Sequence, residues 1–177
     1  MAHLAALRAV MSEKRRNMAT ICTMDIGEIA VIEKPEAHYF VTVPTSRGTP
    51  FEKEMERVVA ETKKYQLRRL HDASYGSILP VEKLYAGAFD DYSALYIELP
   101  FPTHRKGLHV QPKGRYLRAY CKGDWDKLPA RYREILAYAE AHGLRFCGAA
   151  YEKGINELVI DAMDDYITQI EIPLETG

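Results

Sequence analysis

The residues best suited to chemistry in this chain lie between positions 149 and 173, AAYEKGINELVIDAMDDYITQIEIP. Glu152 stands there inside an apolar and aromatic run, flanked by Tyr151 and, downstream, Tyr166. A carboxylate walled by aromatic faces suits an organic cation, because both the charge and the ring quadrupoles attract it. If Glu152 is buried without a fixed partner, its ionised form is costly and its pKa rises, which favours an arriving cation. The same raised pKa would let Glu152 work with a nearby tyrosine as a general acid or base. Glu157, five residues on, is the rival carboxylate. Tyr132, Tyr75, Tyr120, Trp125 and Phe146 are further aromatic candidates for a ligand-binding wall. Nothing else offers a reactive constellation. The chain shows no Ser-His-Asp order, phosphate loop or metal cluster. His38, His71 and His142 lack metal-ligand spacing, and His142 beside Gly143 reads as a cation at a helix C-terminus. Cys22, Cys121 and Cys147 match no zinc or CxxC pattern.

Those residues need a frame. The 177-residue chain is long enough for one well-buried core, and 47% hydrophobic with 28% charged residues describes a globular protein. Lys and Arg number 24 against 25 Asp and Glu, so no net charge draws the chain to nucleic acid or an acidic membrane. No apolar run approaches the ~18 residues that span a bilayer. An odd cysteine count argues against a secreted disulfide framework, and the cytoplasm is the expected compartment.

Residues 3–17 read as a helix with a basic end, part of a leader or linker over 1–19 that could also carry a homodimer contact. From Ile21 the period moves toward two, giving strands about residues 29–33 and 38–43 that pair as a hairpin. Thr49, Pro50 and Glu52 mark a helix start, and that helix runs to about Tyr65. Residues 76–84 and 92–99 read as two further strands, and 103–107 as a connector. The pattern then recurs. Residues 116–120 (YLRAY) fall 77 positions after 39–43 (YFVTV), and a second helix buries Leu128, Tyr132, Ile135, Leu136 and Ala139. Asp164, Asp165 and Tyr166 follow Asp90, Asp91 and Tyr92 by 74, and both copies run into a strand ended by proline, YSALYIELP and YITQIEIP. An internal duplication predicts an α+β fold of two hairpin–helix–two-strand halves, about 20–102 and 107–173, with antiparallel sheet, two helices and a cleft at the pseudo-two-fold seam.

The second half resembles a known family. Gly114 and its strand, Lys122-Gly123, the helix bearing Ala130, Arg131, Tyr132 and Leu136, then Gly148, Tyr151-Glu152 and YITQIEIP look like the gyrase-inhibitor-like effector-binding domain. In the first half, Gly76-Ser77-Ile78-Leu79 and Asp91 to Leu95 look most like the version at the C-terminus of MerR-type multidrug-responsive transcription regulators. The resemblance covers roughly residues 20–173. It implies the duplicated α+β fold and binding of hydrophobic, often cationic, molecules between the halves. It also implies that Glu152 meets the ligand's charge, with Tyr132 and Tyr166 as pocket aromatics. The chain departs from those regulators in having no helix-turn-helix, so it is not expected to contact nucleic acid itself. Some stand-alone relatives are hydrolases using a glutamate and a tyrosine, and the family's namesake binds a protein. No axial haem ligand or other cofactor motif stands out.

Overall fold

A computed structural model describes residues 25–45, 48–64, 74–99, 106–156 and 160–176, with positions 8, 11, 12, 15, 16, 18, 19 and 21–23 besides. Eight strands form one antiparallel sheet: β1 (Ile29–Lys34), β2 (His38–Pro44), β3 (Tyr75–Pro80), β4 (Ala94–Glu98), β5 (His109–Gln111), β6 (Gly114–Lys122), β7 (Ala149–Gly154) and β8 (Ile167–Pro173). Their order across the sheet is β1-β6-β8-β7-β3-β4-β2-β5. Exchanging β1 to β4 for β5 to β8 leaves that order unchanged, and its midpoint is the β3–β7 pair. Among the described residues the α-helices with defined bounds are α1 (Phe51–Lys64), α2 (Val81–Tyr85) and α3 (Leu128–Ala141), which with the sheet make an α+β fold.

Strand pairing departs from the expected hairpins. β1 pairs with β6, and β2 with β4 and β5, so β1 and β2 are not neighbours in the sheet, whereas β3–β4 and β7–β8 are. Residues 35–37 alone join β1 to β2, although the two lie near opposite ends of the row. Only a sheet curled into a half-barrel allows this. Glu171 on β8 marks the closure: it accepts from Lys34 Nζ of edge strand β1 at 2.6 Å and from Gln111 Nε2 of edge strand β5 at 3.1 Å. Two other expectations are corrected. The described positions between 8 and 23 are helical as far as Thr23, where a period of two was expected. Residues 81–85 are helix α2 and not the end of a strand. Pro80 has no N–H to extend the ladder, and the Val81 N–H turns to the Gly148 carbonyl at 3.0 Å.

The two faces of the sheet hold different material, as strand alternation requires. On one face α3 lays Leu128, Tyr132, Ile135 and Ala139 against Leu117 and Ala119 of β6, Ala150 of β7 and Ile170 and Ile172 of β8. Each large aliphatic group so buried contributes roughly 2 kcal/mol. Asp124 caps the 3-10 turn that leads into α3, accepting from the Trp125 N–H at 2.7 Å. Gly143, at φ +64, ends the helix. α1 packs beside it through Val58 on Val43 and Ile97. Inside the curl lie Phe40, Ile78, Tyr96, Tyr116 and Tyr151, with Phe40 and Tyr96 stacked at 4.2 Å.

That interior ends in two buried carboxylates. Burial pushes Glu171 up, but Lys34 and Arg118 outweigh it and hold the carboxyl down to about 2. Glu98 is likewise held to about 2 by Lys153 and His38 against the pull of burial. Both are ion pairs whose desolvation is offset by their cations.

Candidate functional site

Glu152 lies on β7 directly across from Ser77 on β3, at the pair of strands in the middle of the sheet. Its side chain shares the α3 face with Ala150. Three hydroxyls converge on the carboxylate. Tyr132, from α3, donates to Oε1 at 2.6 Å. Tyr92, from the loop after α2, reaches Oε1 at 3.1 Å and Oε2 at 3.0 Å. Ser77 donates to Oε2 at 3.0 Å. The Glu152 carbonyl is held as well, accepting from the Tyr96 hydroxyl at 3.0 Å.

These partners are themselves fixed. The Tyr132 ring is fully buried and stacks on Phe89 at 5.5 Å and 7°. Tyr96 occupies the space a side chain at Gly76 would take: a Cβ there would stand 1.8 Å from the Glu152 carbonyl oxygen and 2.7 Å from the Tyr96 ring. Glycine at 76 is a packing requirement of the β3–β7 seam.

The electrostatics follow from what surrounds the carboxylate. Burial pushes Glu152 up to about 7, and the hydrogen bonds from Tyr132, Tyr92 and Ser77 only partly offset it. Among the described residues no cation is a partner of Glu152. This separates it from Glu98 and Glu171, whose lysines hold them ionised. Burial and the Glu152 charge raise the Tyr132 hydroxyl well above its usual range, and Tyr92 moves the same way. Both phenols therefore stay protonated and remain donors.

A cavity of about 100 Å³ opens beside Glu152. Tyr75, Trp125 and Tyr166 line it together with Val58, Leu95 and Thr168. Trp125 is half exposed at its mouth and meets Tyr166 edge to face, centroids 6.1 Å apart at 89°. Of the residues singled out in the sequence, Glu152, Tyr75, Trp125 and Tyr166 meet at this cavity, and Tyr132 touches Glu152 from behind. Tyr120 and Phe146 lie elsewhere. Tyr120 packs with Ile155 and Ile167, and Phe146 belongs to the core under α3. Glu157 falls outside the described residues. Ser77 and Tyr92 were missed. Tyr92 had a signal, since Asp90-Asp91-Tyr92 matches Asp164-Asp165-Tyr166 at a spacing of 74; Ser77 had none, because its pairing with Glu152 spans 75 residues.

Among the described residues no group of three or more His, Cys, Asp or Glu could hold a metal ion, and no helix is long and apolar enough to cross a membrane. Chemically the site can do two things. It can accept a positive charge, or it can hold and give up a proton near neutrality.

No protein-family model and no curated protein sequence matches the chain. Solved structures do. The C-terminal domain of EcmrR superposes with a TM-score of 0.63 at 16% identity, covering 85% of this chain and 98% of that one. EcmrR in a cryo-EM complex with DNA gives 0.58 at 15%, covering 99% of this chain and 67% of that one. A protein from Listeria innocua described as a hydrolase gives 0.55 at 13%, covering 90% and 98%. At these identities the likeness shows the fold. The fold expected from the sequence, that of the C-terminal domain of a MerR-type regulator, is the fold found.

Proposed function

We propose that this chain is a small-molecule-sensing effector domain of the kind carried by MerR-type regulators, taking hydrophobic cations whose charge meets Glu152. The carrying observation is the carboxylate itself: fully buried, oriented by three hydroxyls, and without a cation among its described partners. An ionised carboxyl in that setting is costly, and a ligand cation removes the cost. Tyr75, Trp125 and Tyr166 supply ring faces, each worth roughly 0.5–2 kcal/mol to a cation according to desolvation. The cavity holds the charged end of a ligand, and a larger body would lie against Trp125 at the mouth. Working as such a sensor, the domain would act in the cytoplasm. The likeness to the EcmrR C-terminal domain supports the class of protein, and the ligand chemistry rests on the site alone.

A second reading has its own observation. A carboxyl brought to about 7 beside two phenols and a serine is placed for proton transfer, and a structure of the same fold is described as a hydrolase. One experiment separates them. The wild type and Glu152→Gln are titrated with tetraphenylphosphonium, following the fluorescence of Trp125, the sole tryptophan, and the recovered ligand is weighed by mass spectrometry. Sensing predicts saturable binding, weakened by about tenfold or more in the variant, with the ligand unchanged. For the enzyme, a set of aryl esters and amides is then screened, and turnover lost in Glu152→Gln would replace sensing with hydrolysis. Absence of binding by any cation sinks the first reading.

A further inference from the structure

The interior of the curl holds a second, smaller space. It lies on the other face of the sheet from the Glu152 side chain, between the buried carboxylates of Glu98 and Glu171. Lys34, Lys153, Gln111 and Gln169 line it, from β1, β7, β5 and β8. Its volume is about 10 Å³, room for one water-sized occupant and too little for a polyatomic ion.

Charge around this space does not cancel. Three permanent cations meet two carboxylates: Lys34 and Arg118 on Glu171, and Lys153 on Glu98. His38, the other partner of Glu98, adds to the positive side whenever it is protonated. Arg118 is partly solvated, but it places two N–H bonds on Glu171 Oε1, so the buried Lys34 shares a single negative charge with it. The field of these cations is felt by the carboxyls. Burial pushes Glu98 and Glu171 up, yet both are held to about 2. Hydrogen bonding alone could be completed here by a water or by the amide oxygens of Gln111 and Gln169. Neither supplies negative charge, and surplus charge in a buried setting is costly.

We propose that this space is a site for one monatomic anion, a chloride or bromide, held by the Lys34 and Lys153 ammonium groups. A halide is close to a water in size, accepts several N–H donors at once and brings the negative charge that the cluster lacks. Lys34 on β1 and Gln111 on β5 come from the two edge strands. A bound halide therefore stabilises the closure of the half-barrel. The site is independent of what the Glu152 cleft binds.

Bromide soaked into crystals of the full chain reads the site directly, because bromine scatters anomalously. A peak in contact with Lys34 Nζ and Lys153 Nζ is expected. Peaks confined to surface cations, or a water that bromide does not displace, overturn the proposal. In solution, thermal melts are compared at equal ionic strength in sodium chloride and in sodium gluconate, whose anion is too large to enter. The melting temperature in chloride should exceed that in gluconate by about 3–6 °C once chloride reaches about ten times its dissociation constant. Lys34→Met should lose this difference, and general salt effects cancel between the two proteins. Glu171→Gln removes a negative charge and should move the chloride effect to lower concentration. An effect retained in Lys34→Met, or unmoved in Glu171→Gln, overturns the site. Should either variant fail to fold, the bromide peak in the wild type still decides.

Discussion

Replacing Glu152 with glutamine should change how stability depends on pH, before any ligand is added. In the unfolded chain the carboxyl ionises near 4.5; in the fold burial moves it to about 7. Between those values the folded state keeps a proton that the unfolded state releases. Stability therefore falls as pH rises through this window. Each pH unit inside it is worth roughly 1.4 kcal/mol, so the full loss is about 3 kcal/mol by pH 8. Glutamine has nearly the same shape, can still accept from Tyr132, and does not ionise. Its stability curve lacks this slope. Urea unfolding of both proteins at intervals from pH 5 to pH 8.5 measures the difference directly. Wild type minus variant should fall by about 2.5 kcal/mol across the range, the remainder of the loss lying below pH 5. His109 titrates nearby with the opposite sign, since burial lowers its ring and stability gains as it loses its proton. That contribution is common to both proteins and cancels. Parallel curves would refute the reasoning, because the carboxyl would then not be the costly buried group described.

Two other perturbations test the frame. Gly76→Ala places a Cβ 1.8 Å from the Glu152 carbonyl oxygen, and β3 must part from β7; a loss of about 3 kcal/mol or more is expected, read as a lowered melting temperature or failure to accumulate soluble protein. Glu171→Gln leaves Lys34 and Arg118 facing no carboxylate where the curled sheet closes, and should cost about 3–5 kcal/mol in urea unfolding. Because Glu171 and Glu98 are both held to about 2, the stability they give is complete above pH 4.5 and is lost as pH falls toward 2. Glu171→Gln should show a shallower acid loss than wild type.

Local signals in the sequence carried the elements well and their partners poorly. The 14-residue helices α1 and α3 begin 77 positions apart, as residues 39–43 and 116–120 do, and the six-residue strands β3 and β7 begin 74 apart, as Tyr92 and Tyr166 do. Amphipathic period and turn chemistry are properties of short windows, so they are legible without a fold. Pairing is not. Pro35 and Glu36 mark a turn correctly, yet nothing nearby says that β1 leaves for β6 so that Lys34 can reach Glu171. The three-residue strand β5 is too short for alternation to show, and it went unread. At the site, Glu152 was legible because a lone carboxylate in an apolar run demands an explanation. Ser77 was not, because an ordinary serine gains its role only from the strand that comes to lie beside it. Tyr120 and Phe146 show the converse: aromatic type alone does not place a ring, and these two went to other parts of the core.

The central claim is that a ligand's positive charge takes up the burden of the Glu152 carboxylate, and proton release on binding tests it most directly. Tetraphenylphosphonium is titrated into the protein by calorimetry at pH 7 in two buffers of different ionisation enthalpy. With Glu152 ionising at about 7, the account predicts release of about half a proton per ligand bound, rising toward one near pH 6 and vanishing in Glu152→Gln. Saturable binding with no proton released at either pH, or the same release from the variant, would contradict it.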